Sequence, residues 1–143
     1  MVEKRRVVVT GIGTISPLGN KISDLWENLL TGKSGIAKIT KFNASDLICQ
    51  IAGEVKNFDP EPIIQKKDVR RLDIFSQYAI LATEEAIQDS QFNIEQEDPT
   101  KCGVILGTGI GGLHEMESQF SIIQEKGGRR ISPFAVAKLM GNA

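Results

Sequence analysis

Residues 7–20 read VVVTGIGTISPLGN, and this stretch decides the fold class of the chain. The β-branched run Val7–Val9 is typical of a buried strand, and the glycines and proline behind it predict a tight loop. Strands that end in glycine loops carry the ligand sites of α/β proteins. The stretch therefore predicts an α/β fold of the kind found in enzymes.

The composition sets the class of protein and excludes several partners. The 143 residues are enough for one domain, and 41% apolar and 24% charged residues are typical of a globular protein. A net charge of −1 gives no global attraction to nucleic acid or to an anionic membrane. No apolar run approaches the roughly 20 residues that cross a bilayer, and only three valines follow the basic residues Lys4–Arg6, too few for a signal peptide. We expect a cytoplasmic protein.

The cysteines and the histidine offer neither a metal site nor a nucleophile. Cys49 and Cys102 lie far apart, and His114 completes no usual zinc spacing with them. Free cysteines are most often buried, so the sequence predicts two buried thiols. No serine or carboxylate pattern identifies His114 as a general base. The residues alone therefore predict no metal and no complete catalytic group.

Strands and helices alternate along the chain, which predicts a mainly parallel sheet. The predicted elements are strand 7–10, a helix from Ser23 or Asp24 to a stop at Gly32, irregular residues 33–48, strand 49–55, a helix beginning at Asp59-Pro60, helix 72–89, strand 103–106, helix 113–125 and a helical segment from Ser132 that stops at 141–143.

The strongest predicted helix is 72–89. Its apolar stripe consists of Leu72, Phe75, Ala79, Ala82 and Ala86. The opposite, polar side is predicted to carry Asp73, Gln77, Glu84 and Gln88. The alanines favour close packing, so this helix is expected to be largely buried.

The motif GTGIGG at residues 107–112 fits the dinucleotide pattern G-x-G-x-x-G between a strand and a helix. Such a loop lets backbone N–H groups approach a pyrophosphate. The acidic residue expected about 20 positions later is missing, because Arg129 and Arg130 stand there. A nucleotide-binding domain thus stays open as an alternative beside a glycine loop that packs on backbone or on an apolar ligand.

The clearest charge cluster consists of Lys66, Lys67, Arg70 and Arg71. In a helix, Lys67, Arg70 and Arg71 share one face, and such a patch can steer an acidic partner. The residues alone favour an ordinary solvated face, because Asp68 and Asp73 partly compensate the charge.

Five segments taken together resemble the opening portion of a β-ketoacyl-[acyl-carrier-protein] synthase, in particular the elongating type II enzymes of bacterial fatty acid synthesis. These segments are RRVVVTGIGTISPLGN, SGI at 34–36, RRLDIFSQYAI at 70–80, GTGIGGL and RRISPFAVAKLMGNA. The resemblance implies a thiolase-like fold, layered α/β/α/β/α in a homodimeric enzyme, of which this chain is an incomplete first half. It also implies a decarboxylative Claisen condensation that uses acyl and malonyl thioesters of a carrier protein and needs no cofactor.

The resemblance places the chemistry outside this chain. The nucleophilic cysteine of the family lies in a motif A-C-[ST]-[SG] beyond residue 143, and both histidines lie further on. Residues 1–143 are therefore expected to be the N-terminal portion of one condensing domain, truncated before the cysteine, with no catalytic residue and no activity alone.

Six non-catalytic positions match positions of the family. The basic residues Lys67, Arg70 and Arg71 match contacts to the acidic acyl carrier protein, which outweighs the solvated-face interpretation. Three further positions match the acyl pocket: Ile110 matches a residue that lines it, and Phe134 and Ala135 match a segment that reaches toward the pocket of the partner subunit. The family often has two successive aromatic residues in that segment, and Ala135 is smaller. Besides the nucleotide-binding domain, a carrier-docking module without catalysis remains an alternative.

Overall fold

The computed structural model describes residues 4–141, which form two compact units. The first unit combines the chain up to residue 58 with residues 82–93, and the second combines residues 59–81 with the chain from residue 94 onward. The elements are α1 (Ile22–Leu30), β1 (Ile36–Lys38), β2 (Ile51–Gly53), α2 (Lys66–Val69), α3 (Ile74–Ser90), α4 (Leu113–Lys126) and α5 (Ala135–Leu139). Short 3₁₀ turns cover Ile94–Gln96, Pro99–Lys101 and Gly128–Arg130.

The first unit contains α1 and an antiparallel pair of short strands. Ile36 lies opposite Gly53 and Lys38 opposite Ile51. The predicted strand 49–55 is thus confirmed in shortened form, whereas the prediction that residues 33–48 are irregular missed β1. Helix α1 ends at Leu30, two residues before the predicted stop at Gly32.

The glycine loop behind residues 7–10 packs on the second half of α3. A Cβ at Gly13 would lie 1.9 Å from the Ala82 carbonyl oxygen, and one at Gly11 would lie 2.2 Å from that of Ala86. Only glycine permits so close an approach of two backbones. The tight turn predicted for Pro17 is present, since Ser16 and Gly19 exchange backbone hydrogen bonds of 2.9 and 3.1 Å.

The second unit contains α2, the first half of α3, α4 and α5. Helix α4 begins at the predicted residue. The helix predicted from Asp59 is wrong: Asp59 accepts a hydrogen bond from the Glu61 N–H, but the chain closes only a single turn there before α2. Helix α5 ends at Leu139, and residues 142–143 of the predicted stop lie outside the described part of the chain.

The prediction of a mainly parallel sheet is wrong for residues 4–141. The antiparallel pair of β1 and β2 is the only sheet there. Residues 7–9 and 104–106 form no strand and are highly exposed, with Ile105 98% exposed. A strand needs a neighbour for its N–H and C=O groups, and the described residues supply none to either run.

Apolar burial within the described residues is small. Ala44 and Ile64 are the buried hydrophobic residues, whereas three polar residues, Asp73, Gln77 and Glu115, are equally buried. Buried polar side chains are unusual, and their hydrogen bonds determine how the helices of the second unit are arranged. Among the helices of residues 4–141, none combines the length and the apolar character that crossing a bilayer requires.

Candidate functional site

The basic surface of Lys66, Lys67, Arg70 and Arg71 is exposed and surrounds the end of α2. Lys66 and Lys67 belong to the helix. Arg70 caps it with helical backbone angles, and the Arg71 N–H donates to the Asp68 carbonyl at 2.8 Å. Lys66 and Lys67 are therefore helical, whereas Arg70 and Arg71 lie just beyond α2, which ends at Val69.

Carboxylates compensate the basic surface only in part. Lys66 Nζ lies 3.9 Å from Glu61, and Arg71 lies 3.7 Å from Asp68, and each of the four side chains is at least 40% exposed. Exposed ion pairs contribute little because water screens them. Within residues 4–141, Lys67 and Arg70 form no ion pair. The surface can therefore attract an acidic partner.

Arg71 also contacts the segment in front of α5. Its guanidinium carbon lies 5.3 Å from the centre of the Phe134 ring, within the range of a cation–π interaction. The structure thus brings together two residues that the sequence assigned to different roles, Arg71 to carrier docking and Phe134 to the acyl pocket.

Ala135 lies in an apolar groove between α4 and α5. The groove has a volume of about 180 Å³. Its apolar lining consists of Met116, Phe120, Ile123, Ala135, Val136 and Leu139. Ile110 is not part of this lining; it lies in the turn before α4 and is 73% exposed. The structure therefore places Phe134 and Ala135 together at the start of α5 and Ile110 apart from the groove.

The glycine motif at 107–112 packs on backbone. The Gly112 N–H donates to the Leu139 carbonyl at 3.0 Å, and a Cβ at Gly112 would lie 2.5 Å from the Lys138 carbonyl oxygen. In a dinucleotide site, a phosphate would bind the first amides of α4. Here Asp73 Oδ2 accepts from the Glu115 N–H at 3.1 Å, so a carboxylate of the protein already occupies this helix end. The nucleotide-binding alternative has no support.

Two polar residues of the predicted helix 72–89 were assigned to the wrong side. Asp73 and Gln77 are 4% and 7% exposed, not solvated. Asp73 precedes α3 and accepts from the Ile74 N–H, while Gln77 Nε2 donates to the carbonyls of Val69 and Leu72. Periodicity alone cannot detect such roles, but an aspartate just before a helix is a typical capping residue.

Sequence reasoning also missed a buried ion pair between α4 and α5. Lys138 Nζ forms a salt bridge with Glu115 Oε2, and the two side chains are 18% and 7% exposed. Glu115 Oε1 accepts from Gln119 Nε2 at 2.7 Å, and Gln119 Oε1 accepts from the Ser132 N–H at 2.9 Å. The pair is separated by 23 residues, so no local spacing could reveal it.

The predicted burial of the thiols is wrong, since Cys49 and Cys102 are both exposed. Each Sγ donates only a long hydrogen bond to a backbone carbonyl, at 3.4 and 3.5 Å. Cys102 directly precedes the exposed residues 103–106, and Cys49 precedes the short strand β2. Among residues 4–141, no group of three or more His, Cys, Asp or Glu could hold a metal ion.

Comparison with protein families identifies the fold to which this arrangement belongs. Residues 4–143 match the family model of the N-terminal domain of beta-ketoacyl synthases. The chain belongs to this family. Two relatives, each a 3-oxoacyl-[acyl-carrier-protein] synthase 2, come from Synechocystis sp. and Coxiella burnetii. They are 44% identical over 140 residues and 46% identical over 134 residues.

The beta-ketoacyl synthase match covers nearly all of this chain but only part of the relatives. The alignments include 98% and 94% of the chain and 34% and 32% of the Synechocystis and Coxiella proteins. The chain thus spans about a third of the length of these relatives. The resemblance found in the sequence is confirmed at the level of the family.

Solved structures confirm the fold. The ishigamide ketosynthase/chain length factor matches with a TM-score of 0.79 and 25% identity, over 96% of this chain and 34% of its own. A type II polyketide ketosynthase in complex with its acyl carrier protein matches with a TM-score of 0.70 and 24% identity, over 97% of this chain and 38% of its own. The chain therefore has the first part of the thiolase-like fold of ketosynthases.

Proposed function

We propose that the full-length protein containing this chain is a 3-oxoacyl-[acyl-carrier-protein] synthase that elongates acyl chains in fatty acid synthesis. The observation that carries the proposal is the match of residues 4–143 to the beta-ketoacyl synthase family, together with relatives that carry this enzyme name at 44–46% identity. Identity of this size over almost the whole chain favours the same reaction class.

The proposed reaction is a decarboxylative Claisen condensation. A cysteine thiolate takes the acyl group from its carrier thioester, and the carrier thiol leaves. Malonyl-carrier then loses carbon dioxide, and the resulting carbanion attacks the acyl-cysteine thioester. The products are 3-oxoacyl-carrier and the free cysteine. By the family resemblance, this cysteine and two histidines lie beyond residue 143, so residues 1–143 supply no catalytic group.

The described residues supply binding surfaces in this proposal. An acidic acyl carrier protein docks on Lys67, Arg70 and Arg71, which are exposed and only partly compensated by carboxylates. Phe134 and Ala135 contribute to the wall around the acyl chain, together with Ile110. The proposed protein works as a homodimer in the cytoplasm.

The proposal is tested by supplying the purified full-length protein with acyl-carrier and malonyl-carrier. Mass spectrometry should detect 3-oxoacyl-carrier two carbons longer than the acyl substrate, with release of carbon dioxide. Residues 1–143 alone should form no product and should take no acyl group onto Cys49 or Cys102. A folded full-length protein that binds carrier but forms no product would instead support a docking module without catalysis.

A further inference from the structure

The strongest feature that the proposed reaction leaves unexplained is the buried polar chain in the second unit. It runs from Lys138 on α5 through Glu115 and Gln119 on α4 to the backbone of Ser132. The backbone N–H of Glu115 is in turn bound by Asp73 in front of α3. These contacts link four segments of the unit, and two of them, from Lys138 and Gln119, are made by the Glu115 carboxylate itself.

Side chains from both helices engage the Glu115 carboxylate. Both oxygens of Glu115 have partners: Lys138 at Oε2 and Gln119 at Oε1. A buried charge is costly without its partner and its hydrogen bonds, so a shift of α5 that separates Lys138 from Glu115 is opposed.

The first and last residues of this hydrogen-bond network lie on either side of the residues of the proposed acyl wall. Ser132 is held through its N–H, and Lys138 is held through its ammonium group, with Phe134 and Ala135 between them. Glu115 and Gln119 also border the apolar groove that Ala135 lines. The segment 132–138 is thus fixed at both ends against α4.

We infer that Glu115 and Lys138 are positioning residues that set the distance of segment 132–138 from α4 and thereby the acyl length that the enzyme accepts. This inference rests on the proposed condensing function. Neither residue touches the reacting atoms. Replacing either charge removes the side-chain link between Lys138 and α4, leaves the backbone bond from Gly112 to Leu139 in place, and moves the wall formed by Phe134 and Ala135.

The test uses the full-length protein with Lys138→Met, Glu115→Met and the double variant Glu115→Met/Lys138→Met. Matched controls are Glu117→Met on an exposed turn of α4 and Lys126→Met at its end. Three quantities are measured: the ratio of kcat/KM for a long and a short acyl-carrier, the melting temperature, and hydrogen exchange at the Ser132 amide.

Lys138→Met leaves the buried Glu115 carboxylate without its ion-pair partner, and Glu115→Met leaves the part-buried Lys138 without one, so both melting temperatures should fall, more so for Lys138→Met. The double variant should recover much of that loss, since two apolar residues can replace a buried pair. Its selectivity should nevertheless differ about tenfold from that of the parent, a typical effect of changing an apolar pocket by a small group. Its Ser132 amide should exchange faster than in the controls.

The experiment distinguishes a wrong positioning role from a wrong proposed function. If the parent protein forms no 3-oxoacyl product, the proposed function is wrong. If the parent is active and the double variant keeps both the parent selectivity and the parent Ser132 exchange, the positioning role is wrong. The positioning role is also wrong if the double variant recovers the parent selectivity along with the parent melting temperature, because the pair would then be purely structural.

Discussion

The Arg71 guanidinium lies 5.3 Å from the centre of the Phe134 ring, so one side chain belongs to both the basic surface and the segment in front of α5. Arg70, one residue earlier, is also exposed and positively charged, but within residues 4–141 no aromatic ring contacts it. The two arginines therefore form a natural pair for separating charge from ring contact.

Arg71→Gln should weaken carrier binding and also destabilise the protein, because the cation–π contact with Phe134 is lost. The expected cost is about 0.5–1 kcal/mol in the free energy of unfolding, measured with denaturant. Arg70→Gln should weaken carrier binding to a similar extent without this cost. Equal unfolding free energies for the two variants would contradict a stabilising role of the ring contact.

Glu85 connects α3 to the glycine loop in the first unit. Its Oε2 accepts from the Thr14 N–H at 2.9 Å and its Oε1 from the Ile22 N–H at 2.8 Å, the first amide of α1. Glu85→Gln places an amide donor against one of these N–H groups and should cost about 1–3 kcal/mol.

Hydrogen exchange of the full-length protein checks this prediction. The Thr14 or Ile22 amide should exchange faster in Glu85→Gln, whereas Glu84→Gln should leave both unchanged, because Glu84 binds only the Gln88 side chain in the described structure. Unaltered protection of both amides in Glu85→Gln would show that the carboxylate does not hold the loop.

Gly112→Ala should destabilise the second unit. The new methyl group would lie 2.5 Å from the Lys138 carbonyl oxygen and 2.7 Å from Asp73 Oδ2, so α5 must move. Overpacking of this kind costs about 1–3 kcal/mol, measured by thermal or denaturant unfolding. Gly128→Ala is the control, since the nearest atom lies 4.0 Å away. Equal stability of the two variants would contradict the packing role of the glycine motif.

Glu54 provides a pH-dependent contact in the first unit. Hydrogen bonds from the Thr40 hydroxyl and backbone N–H lower the pKa of its carboxyl below the ordinary 4.5. A lowered folded-state pKa means that the contact is fully present above pH 4.5 and is lost as the pH falls through the lower value. NMR of labelled full-length protein should show the Thr40 amide signal shifting in acid. The same shift in Glu54→Gln would exclude Glu54 as its cause.

Sequence patterns predicted most accurately those helices whose ends depend on residues close together in the chain. Helix α4 begins at the predicted residue after Gly112, and α3 (Ile74–Ser90) lies close to the predicted bounds 72–89. The expectation that this helix is largely buried is wrong, because within Ile74–Ser90 the one buried residue is Gln77 and not a member of the apolar stripe. The strand predictions for 7–10 and 103–106 are not met in residues 4–141, because a strand depends on neighbours that sequence periodicity does not reveal.

The candidate site was predictable only where its residues form a local cluster. The basic surface follows from spacing along one helical turn, and the structure places it there. The Arg71–Phe134 contact and the Glu115–Lys138 pair join residues 63 and 23 positions apart, so tertiary folding alone brings them together. The position of Asp73 just before a helix indicated a capping residue. Helical periodicity instead placed it on the polar side, but the structure buries it.

The most direct test of the central claim is the dependence of kcat and KM on the basic surface, measured with carrier-bound substrate in the full-length protein. Lys67→Glu/Arg70→Glu/Arg71→Glu should raise KM for the carrier about tenfold or more and leave kcat nearly unchanged, because in the proposed function these charges bind carrier without entering the chemistry. The salt dependence of KM should reverse: added salt raises KM of the parent by screening attraction, and lowers KM of the triple variant by screening repulsion. A parent KM retained by the folded triple variant would contradict the account.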